Sequence, residues 1–477
     1  DGVQAHSLEE ASAASMLPVP AQGSAQLRVV TFNLLCTALG VGILAIPHVF
    51  ATVGFLGGLL LLIFIPLLGQ RTAAYISESA HVTGEALLNG IVIRLFGPLY
   101  GNIVDMVLAL YNFSALLGQL VVLKQLLPPI LSFAGLQGPP TMLFLAALAA
   151  VVLVPLSSLP TMERLKFTSV ASVILQGIIA STIIVAGVRA WTPSVLDVDE
   201  TGAASEAMGM RSIPLLVVND PLAWMRATPV VAFAYQFHQN IPFLLRELRH
   251  ESTSIISSKY RSKSDKMQAA VVAALGSCCV LYTAVATASG VAFGLDVQKN
   301  LLVSLSSERG LALLPPSLVA TVQAAMSLVM VFVYPVNSFG LRTWLHGVLF
   351  PGKAETGGHR LAGAAVLTSA CLGVASFVDD LGVLFQIIGA TMGTSIMFVI
   401  PSLLALRCRW HSNAQSGKSP IAYEPMALDG EQPVVIDMSA GKKTSEEAWL
   451  ALTVIEPLAT LAFGALVGVC GVAAVFL

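Results

Sequence analysis

Long apolar runs, separated by short polar stretches, make up most of this chain. After a polar start rich in Ala and Ser, apolar runs of roughly 20 residues recur, the length that a helix needs to cross a hydrocarbon core about 30 Å thick. The pattern predicts an all-α polytopic membrane protein with eleven spanning segments. Segments 1 to 11 cover, in order, residues 29–52, 54–78, 101–127, 140–159, 168–191, 226–245, 267–294, 316–340, 361–378, 383–404 and 448–477.

Segment 1 is interrupted near its centre by Gly40-Val41-Gly42, with Pro47 five residues further on. Glycine disfavours a helix by about 1 kcal/mol relative to alanine, and proline removes a backbone donor. A broken helix persists in a bilayer only where its free backbone groups are buried in protein or line a wet cavity. Two interpretations stay open: a substrate-binding break whose N–H groups face an anion, or close helix packing allowed by small residues.

Segment 6 carries a second interruption. Pro229 and Pro242 flank the polar run YQFHQN at 235–240, and such a run must face the protein interior or water. Broken helices at corresponding positions of two halves indicate a transporter site between inverted repeats. We therefore predict two inverted five-helix repeats, segments 1–5 and 6–10, followed by an eleventh helix. No residue-level repeat links the halves, so the symmetry is inferred from hydropathy and breaks alone.

Four further features contain polar side chains inside apolar segments. His238 could relay a proton or simply stabilise the broken helix through a hydrogen bond. His48, near the outer end of segment 1, is interpreted as an interfacial side chain. Asp105 is expected to pair with a basic residue or to complement a helix N-terminus. The polar kink around Pro335 in segment 8 either lines a pathway or bends the helix.

Composition supports the membrane class. The 477 residues are 56% hydrophobic and only 11% charged, with a net charge of −2, whereas soluble domains are about 25% charged. No basic patch suggests nucleic acid, and all six cysteines lie in or beside apolar segments, so we expect free thiols. The predicted division is a disordered cytoplasmic tail at 1–27 without a signal peptide, a transporter core at 28–409, a disordered cytoplasmic loop at 410–446 and an eleventh helix at 447–477.

The distribution of lysine and arginine predicts the orientation. With a cytoplasmic N-terminus, 19 of the 25 basic residues fall on the inner face, as the positive-inside rule requires. We therefore expect the C-terminus on the outer or lumenal side. The plasma membrane and a vacuolar or lysosomal membrane both fit this pattern.

Six motifs in order resemble those of the amino acid/auxin permease family, and within it the neutral amino acid transporter branch. Segment 1 reads FNLLCTALGVGILAIP, segment 6 reads PVVAFAYQFHQNIPFLLREL, and segment 7 ends in LYTAVATASGVAFGLDVQKNLL. The resemblance implies a leucine-transporter-type fold. The other three motifs are Val151–Val173, Tyr334–Arg342 and Ile387–Arg407.

The resemblance also implies how a substrate is held. The substrate carboxylate is expected at the N–H groups of the break in segment 1, and its ammonium group at carbonyls of segment 6. Both expectations agree with the polarity of helix ends. The candidate substrate-binding residues are Thr37, Gly40, Val41, Gly42, Phe233, Ala234 and Tyr235, and the candidates for proton or ion coupling are His238, Asn33 and Asn337.

The chain departs from the sodium-coupled members of that family at two positions. Cys36 stands where they commonly have asparagine, and Val333 where they have threonine. Sodium prefers hard oxygen ligands, which neither side chain provides. We therefore expect proton-coupled or uncoupled transport, with no cofactor and no bound metal.

Together these features predict a secondary transporter that moves neutral L-amino acids by alternating access. A sodium-coupled symporter and an amino acid sensor are the alternatives. An enzyme is not expected, because the sequence contains no HExxH pair, GxSxG elbow or P-loop. The expected partners are an amino acid and the lipid bilayer, without nucleic acid, and the residues do not indicate any protein partner.

Overall fold

The computed structural model describes residues 26–135, 141–159, 166–191, 214–217, 219–248, 262–351, 353–416 and 454–476. Within these ranges the chain folds into helices and contains no β-strand, which confirms the all-α prediction. Residues 1–25 of the predicted tail and most of the predicted loop at 410–446 lie outside the described residues. The helix of segment 10 continues to Ser416, into the range predicted as a loop.

Seven of the described helices are long and apolar enough to cross a membrane. They correspond to segments 2, 3, 5, 7, 8, 10 and 11. Their bounds are Phe55–Thr83, Pro98–Phe133, Ala171–Trp191, Lys263–Asp296, Pro316–Leu349, Leu381–Arg409 and Glu456–Phe476.

The other four segments are shorter or divided. Segment 1 consists of helix Leu27–Ala38, the 3-10 turn Val41–Leu44 and helix Ile46–Val53. Segment 6 consists of helix Pro221–Ala234, the 3-10 turn His238–Asn240 and helix Ile241–Glu247. Segment 4 is Thr141–Leu148 and Val154–Ser157 joined by a π turn, segment 9 is Gly357–Ala375, and shorter helices are Leu88–Phe96, Leu301–Ser304 and Glu308–Leu313.

Proline has a similar place in both broken segments. Pro47 and Pro242 are each the second residue of the helix that follows the break. A proline is well tolerated there, because the first-turn N–H groups have no partner within the helix. In contrast, Pro335 lies inside the continuous helix of segment 8. The breaks therefore begin at Leu39 and Tyr235, before these prolines. Each second half-helix begins one residue before its proline.

Segment 7 positions the broken helices. It packs against both halves of segment 1 and also against segments 2 and 5. The first half of segment 6 packs against the second half of segment 1 and against segments 10 and 11. Segment 8 packs principally against segments 3 and 5. The two breaks are thus enclosed by continuous helices.

Ion pairs join the ends of several segments. Arg71 of segment 2 pairs with Glu456 of segment 11 at 2.5 Å, and Arg409 pairs with Glu78 at 3.4 Å. At the opposite ends, Lys124 and Lys299 pair with the neighbouring residues Asp379 and Asp380.

Two polar side chains have partners that the sequence did not indicate. Asp105 was expected to pair with a basic residue or a helix N-terminus, but its Oδ2 accepts a hydrogen bond from Asn89 Nδ2 at 3.2 Å. His48 Nδ1 lies 3.2 Å from the carbonyl oxygen of Val297, in the connection after segment 7. His48 therefore attaches the second half of segment 1 to that connection.

Candidate functional site

The two breaks touch each other in the interior. A Cβ atom placed on Gly42 would lie 2.7 Å from Cα and 2.8 Å from Cβ of Ala234, closer than real atoms approach. Glycine at this position therefore lets the backbone of segment 1 lie directly on the last residue of the first half of segment 6. Gly40 differs, because the nearest atom to its Cβ would be Thr37 O at 3.7 Å. Close packing explains Gly42, and it places the two breaks at one point.

Helix ends with partial positive and partial negative charge meet at this contact. The first halves of segments 1 and 6 end at Ala38 and Ala234, so their last carbonyl groups carry partial negative charge. The 3-10 turn of segment 1 begins at Val41, with Gly40 before it, and its first N–H groups have no partner within the turn. The partial charges of both signs at this contact complement those of a molecule that carries both a carboxylate and an ammonium group.

Tyr282 of segment 7 connects the two carbonyl ends. Its fully buried hydroxyl lies 2.7 Å from Ala38 O and 2.9 Å from Ala234 O. Tyr282 is not among the residues predicted from the sequence, because a tyrosine in an otherwise apolar helix carries no local signal. Its hydroxyl therefore contacts the carbonyl group at the edge of each break.

Thr37 and Asn240 form a second connection between the broken segments. Asn240 Nδ2 donates to Thr37 Oγ1 at 3.3 Å, while Thr37 Oγ1 donates to Asn33 O at 2.9 Å. Asn33 lies one helical turn before Thr37 and is partly exposed. The structure thus brings Thr37 to the break in segment 6. Asn33 takes part in this connection through its backbone carbonyl group.

Tyr235 and Phe233 point to different neighbours. The Tyr235 hydroxyl donates to Leu62 O of segment 2 at 3.1 Å. The Phe233 ring stacks on Phe385 of segment 10 at 4.7 Å between centroids and lies 6.3 Å from the ring of Tyr111 of segment 3. These three aromatic rings cover the end of the first half of segment 6. Tyr111 and Phe385 were also missed, since only the tertiary fold brings them together.

His238 is fully buried and is bound to segment 2. Its Nε2 lies 3.0 Å from Gly69 O and 3.2 Å from Thr72 Oγ1. Because a carbonyl oxygen only accepts, Nε2 carries the proton and Nδ1 carries the lone pair in the neutral ring. Nδ1 has no hydrogen-bond partner among the described residues. An incoming proton would therefore bind at Nδ1.

Other polar atoms of the same break are also unpartnered. Both amide atoms of Gln236, which is 2% exposed, and Oε1 of Gln239 lack a hydrogen-bond partner within the described part of the chain. Buried polar groups are nearly always paired. The break in segment 6 therefore contains buried hydrogen-bond donors and acceptors that have no partner among the described protein groups.

Asn337 has a different setting from the other candidates. It lies on the continuous helix of segment 8 and is partly exposed. The principal partners of that helix are segments 3 and 5 rather than the broken segments. Among the residues that the structure describes, no group of three or more His, Cys, Asp or Glu side chains could hold a metal ion.

Comparison with known sequences identifies the relatives of this chain. A family model described as "Transmembrane amino acid transporter protein" matches residues 23–423. Amino acid transporter AVT6E of Arabidopsis thaliana is 23% identical over 398 residues, which cover 81% of this chain and 76% of that protein. Vacuolar amino acid transporter 6 of Saccharomyces cerevisiae is 23% identical over 337 residues, 68% of this chain and 67% of the relative. Vacuolar amino acid transporter 5 of Schizosaccharomyces pombe is 23% identical over 387 residues, 78% and 82% of the two chains.

A solved structure confirms the fold. Mhp1, a nucleobase-cation-symport-1 family transporter in a closed conformation with bromovinylhydantoin bound, matches 97% of this chain and 94% of its own with a TM-score of 0.50. At 13% identity the likeness concerns the fold alone. The predicted leucine-transporter-type arrangement, with broken segments 1 and 6, is confirmed. The family model matches most of the length of this chain. The chain therefore belongs to the transmembrane amino acid transporter family, whose members are multi-pass membrane transporters rather than enzymes.

Proposed function

We propose that this protein transports neutral L-amino acids by alternating access around the contact between Gly42 and Ala234. The observation that carries the proposal is the meeting of the two breaks, which brings N–H groups without a partner in the turn of segment 1 to the carbonyl end of the first half of segment 6, where Ala234 O lies 2.9 Å from the Tyr282 hydroxyl. In this site the N–H groups of Gly40, Val41 and Gly42 bind the carboxylate, and carbonyls near Phe233 and Ala234 bind the ammonium group.

The surroundings of the break favour a substrate with an uncharged side chain. The rings of Phe233, Tyr111 and Phe385 cover the end of the first half of segment 6. Tyr235 and Tyr282 add two more rings, with centroids 5.3 Å apart. A charged substrate side chain would be buried against these rings without a counter-ion, which is costly.

We further propose that transport is proton-coupled through His238. Its Nδ1 is buried and unpartnered within the described residues, and its Nε2–H is fixed to segment 2. Protonation at Nδ1 would place a charge beside the break and change the balance between conformations. The alternative is sodium coupling. Cys36 and Val333 do not support a sodium site, because neither offers an oxygen ligand.

The vacuolar membrane is our proposed location, with the N-terminus in the cytoplasm and the C-terminus in the lumen. The names of the two yeast relatives support a vacuolar site. The distribution of basic residues supports this orientation. An acidic lumen would supply the proton gradient for export to the cytoplasm.

The test is uptake of a labelled amino acid panel into proteoliposomes under an imposed proton gradient, a sodium gradient or neither. Liposomes without protein are the control. Proton-driven accumulation of neutral amino acids is the expected result. Accumulation driven only by sodium would contradict the coupling proposal. Binding of amino acids without any transport would contradict the transporter proposal and favour a sensor.

A further inference from the structure

One hydroxyl lies within hydrogen-bond distance of two carbonyl groups in the interior of the molecule. The Tyr282 oxygen lies within hydrogen-bond distance of both Ala38 O and Ala234 O. A phenol has a single proton to donate, and carbonyl oxygens only accept. At any moment, therefore, one of these two carbonyls lacks a full hydrogen bond from Tyr282.

Both carbonyls are also ends of half-helices. Ala38 closes the first half of segment 1 and Ala234 closes the first half of segment 6. Their negative helix ends face each other across the same hydroxyl. Tyr282 and both alanines are buried, so water does not screen this negative potential. The position between the two carbonyl oxygens therefore attracts a cationic group with more than one N–H donor.

We propose that the Tyr282 hydroxyl is a positioning group that occupies the ammonium position while the site is empty. The inference rests on the proposed amino acid transport. When a substrate binds, its ammonium group has three N–H donors and can serve both carbonyls at once. The phenol proton then leaves them. On release, the hydroxyl returns to its position between the two carbonyls.

This competition has opposite effects on binding and on turnover. Without the hydroxyl, the two carbonyls have no side-chain donor among the described residues in the empty state, so an ammonium group gains more on binding. The same loss makes the empty state less favourable, so release of the ammonium group becomes slower. KM and kcat should therefore both fall. A hydroxyl that only stabilises the fold would instead reduce the amount of folded protein without changing KM.

The experiment compares Tyr282→Phe with Tyr334→Phe in proteoliposomes. The Tyr334 hydroxyl is also buried, but it donates to Thr368 Oγ1 at 3.2 Å, in segment 9. Uptake of labelled L-leucine gives KM and kcat. Inhibition by 4-methylpentanoate, which is leucine without its amine, reports on the carboxylate alone. The loss of one competing hydrogen bond should lower KM of Tyr282→Phe about fivefold and also lower kcat. The inhibition constant of 4-methylpentanoate, and both constants of Tyr334→Phe, should stay unchanged.

A second variant keeps the hydroxyl and changes its strength. 3-Fluorotyrosine incorporated at position 282 is a stronger hydrogen-bond donor, so KM for leucine should rise. This variant decides the matter if Tyr282→Phe does not fold. The inference is overturned if leucine KM is unchanged or raised in Tyr282→Phe, if 4-methylpentanoate shifts equally, or if fluorination leaves KM unchanged. If the wild-type protein transports no amino acid, the proposed function fails and this inference falls with it. Wild-type transport with an unchanged KM in the variants refutes the Tyr282 inference alone.

Discussion

The breaks of segments 1 and 6 have the same backbone plan but different chemistry. Each contains a half-helix, a 3-10 turn and a second half-helix that restarts on a proline. The turn Val41–Leu44 is apolar and buried, so it offers a ligand only backbone groups. The turn His238–Asn240 and the preceding Gln236 offer polar side chains, several without a partner among the described residues.

This difference suggests a division of work between the breaks. Backbone N–H groups are fixed in position and bind any carboxylate, whatever the substrate side chain. Side chains can change protonation or hydrogen bonding during a transport cycle. We therefore assign the substrate carboxylate to the backbone of segment 1 and the coupling step to the polar side chains of segment 6.

The largest effect is expected for Gly42→Leu. A Cβ at this position would lie 2.7 Å from Cα of Ala234, so the side chain must separate the two breaks. Uptake should fall by a factor of about 100 or more, as a loss of several kcal/mol in core packing implies. Gly276→Leu is the control, because its Cβ would meet nothing within 4 Å. Normal uptake by folded Gly42→Leu would disprove the contact as the site.

Next in size is His238→Ala. If Nδ1 takes up the transported proton, accumulation against a gradient should be lost, while downhill exchange of amino acids remains. The dependence of uptake on pH should become flat. The exposed His81→Ala should keep the wild-type profile. Uptake and pH dependence are measured together in proteoliposomes. A wild-type pH profile in His238→Ala would leave His238 as a structural residue that anchors segment 6 to Gly69.

A smaller effect is expected for Gln236→Leu. Its amide atoms have no partner in the described structure, so their removal leaves no new unsatisfied group. Thermal unfolding should shift little, while the uptake rate falls about tenfold because a buried polar group of the break in segment 6 is lost. The measurement is unfolding temperature and uptake on the same preparation. A large loss of stability with unchanged uptake per folded molecule would show that Gln236 is structural.

The smallest effect concerns the connection that holds the second half of segment 1. His48 contacts Val297, and the nearby Lys299 pairs with Asp380, just before segment 10. Burial raises the pKa of Asp380, but hydrogen bonds from Lys299 and from the N–H group of Val383 lower it, and the net result is a pKa below the ordinary value of 3.8.

A carboxyl group with a lowered pKa stabilises the fold above its ordinary pKa and loses that contribution as the pH falls through the folded-state value. Both partners are partly exposed, with 43% and 39% of their side chains accessible, so solvent screening keeps the effect small. The unfolding temperature of the wild type should fall by about 1–2 °C more than that of Asp380→Asn between pH 7 and pH 3, since each kcal/mol corresponds to only a few degrees. If the unfolding temperatures of the wild type and of Asp380→Asn fall equally between pH 7 and pH 3, the ionised Asp380 does not contribute to stability in this way.

Local signals in the sequence were enough to predict the segments and both breaks. Long apolar runs define the helices, and glycines or a polar run inside them mark the interruptions. Proline was a weaker guide. Pro335 lies in an intact helix, whereas Pro47 and Pro242 restart helices that were already broken.

The composition of the site depended on contacts between distant residues. Tyr282 meets Ala38 across 244 positions of the chain, and Phe385 reaches Phe233 only because segment 10 packs on segment 6. No local pattern distinguishes such residues from ordinary core side chains. Asn337, a candidate for proton or ion coupling, lies on the helix of segment 8, which packs principally against segments 3 and 5, and its role stays a prediction.

The most direct test of the account is a structure of the protein with a bound neutral amino acid. We predict density between the two breaks, with the carboxylate at the N–H groups of Gly40, Val41 and Gly42 and the ammonium group at Ala38 O and Ala234 O. The Tyr282 hydroxyl should have moved away from at least one of these carbonyls. An amino acid bound elsewhere, or bound here with its head groups reversed, would contradict the account.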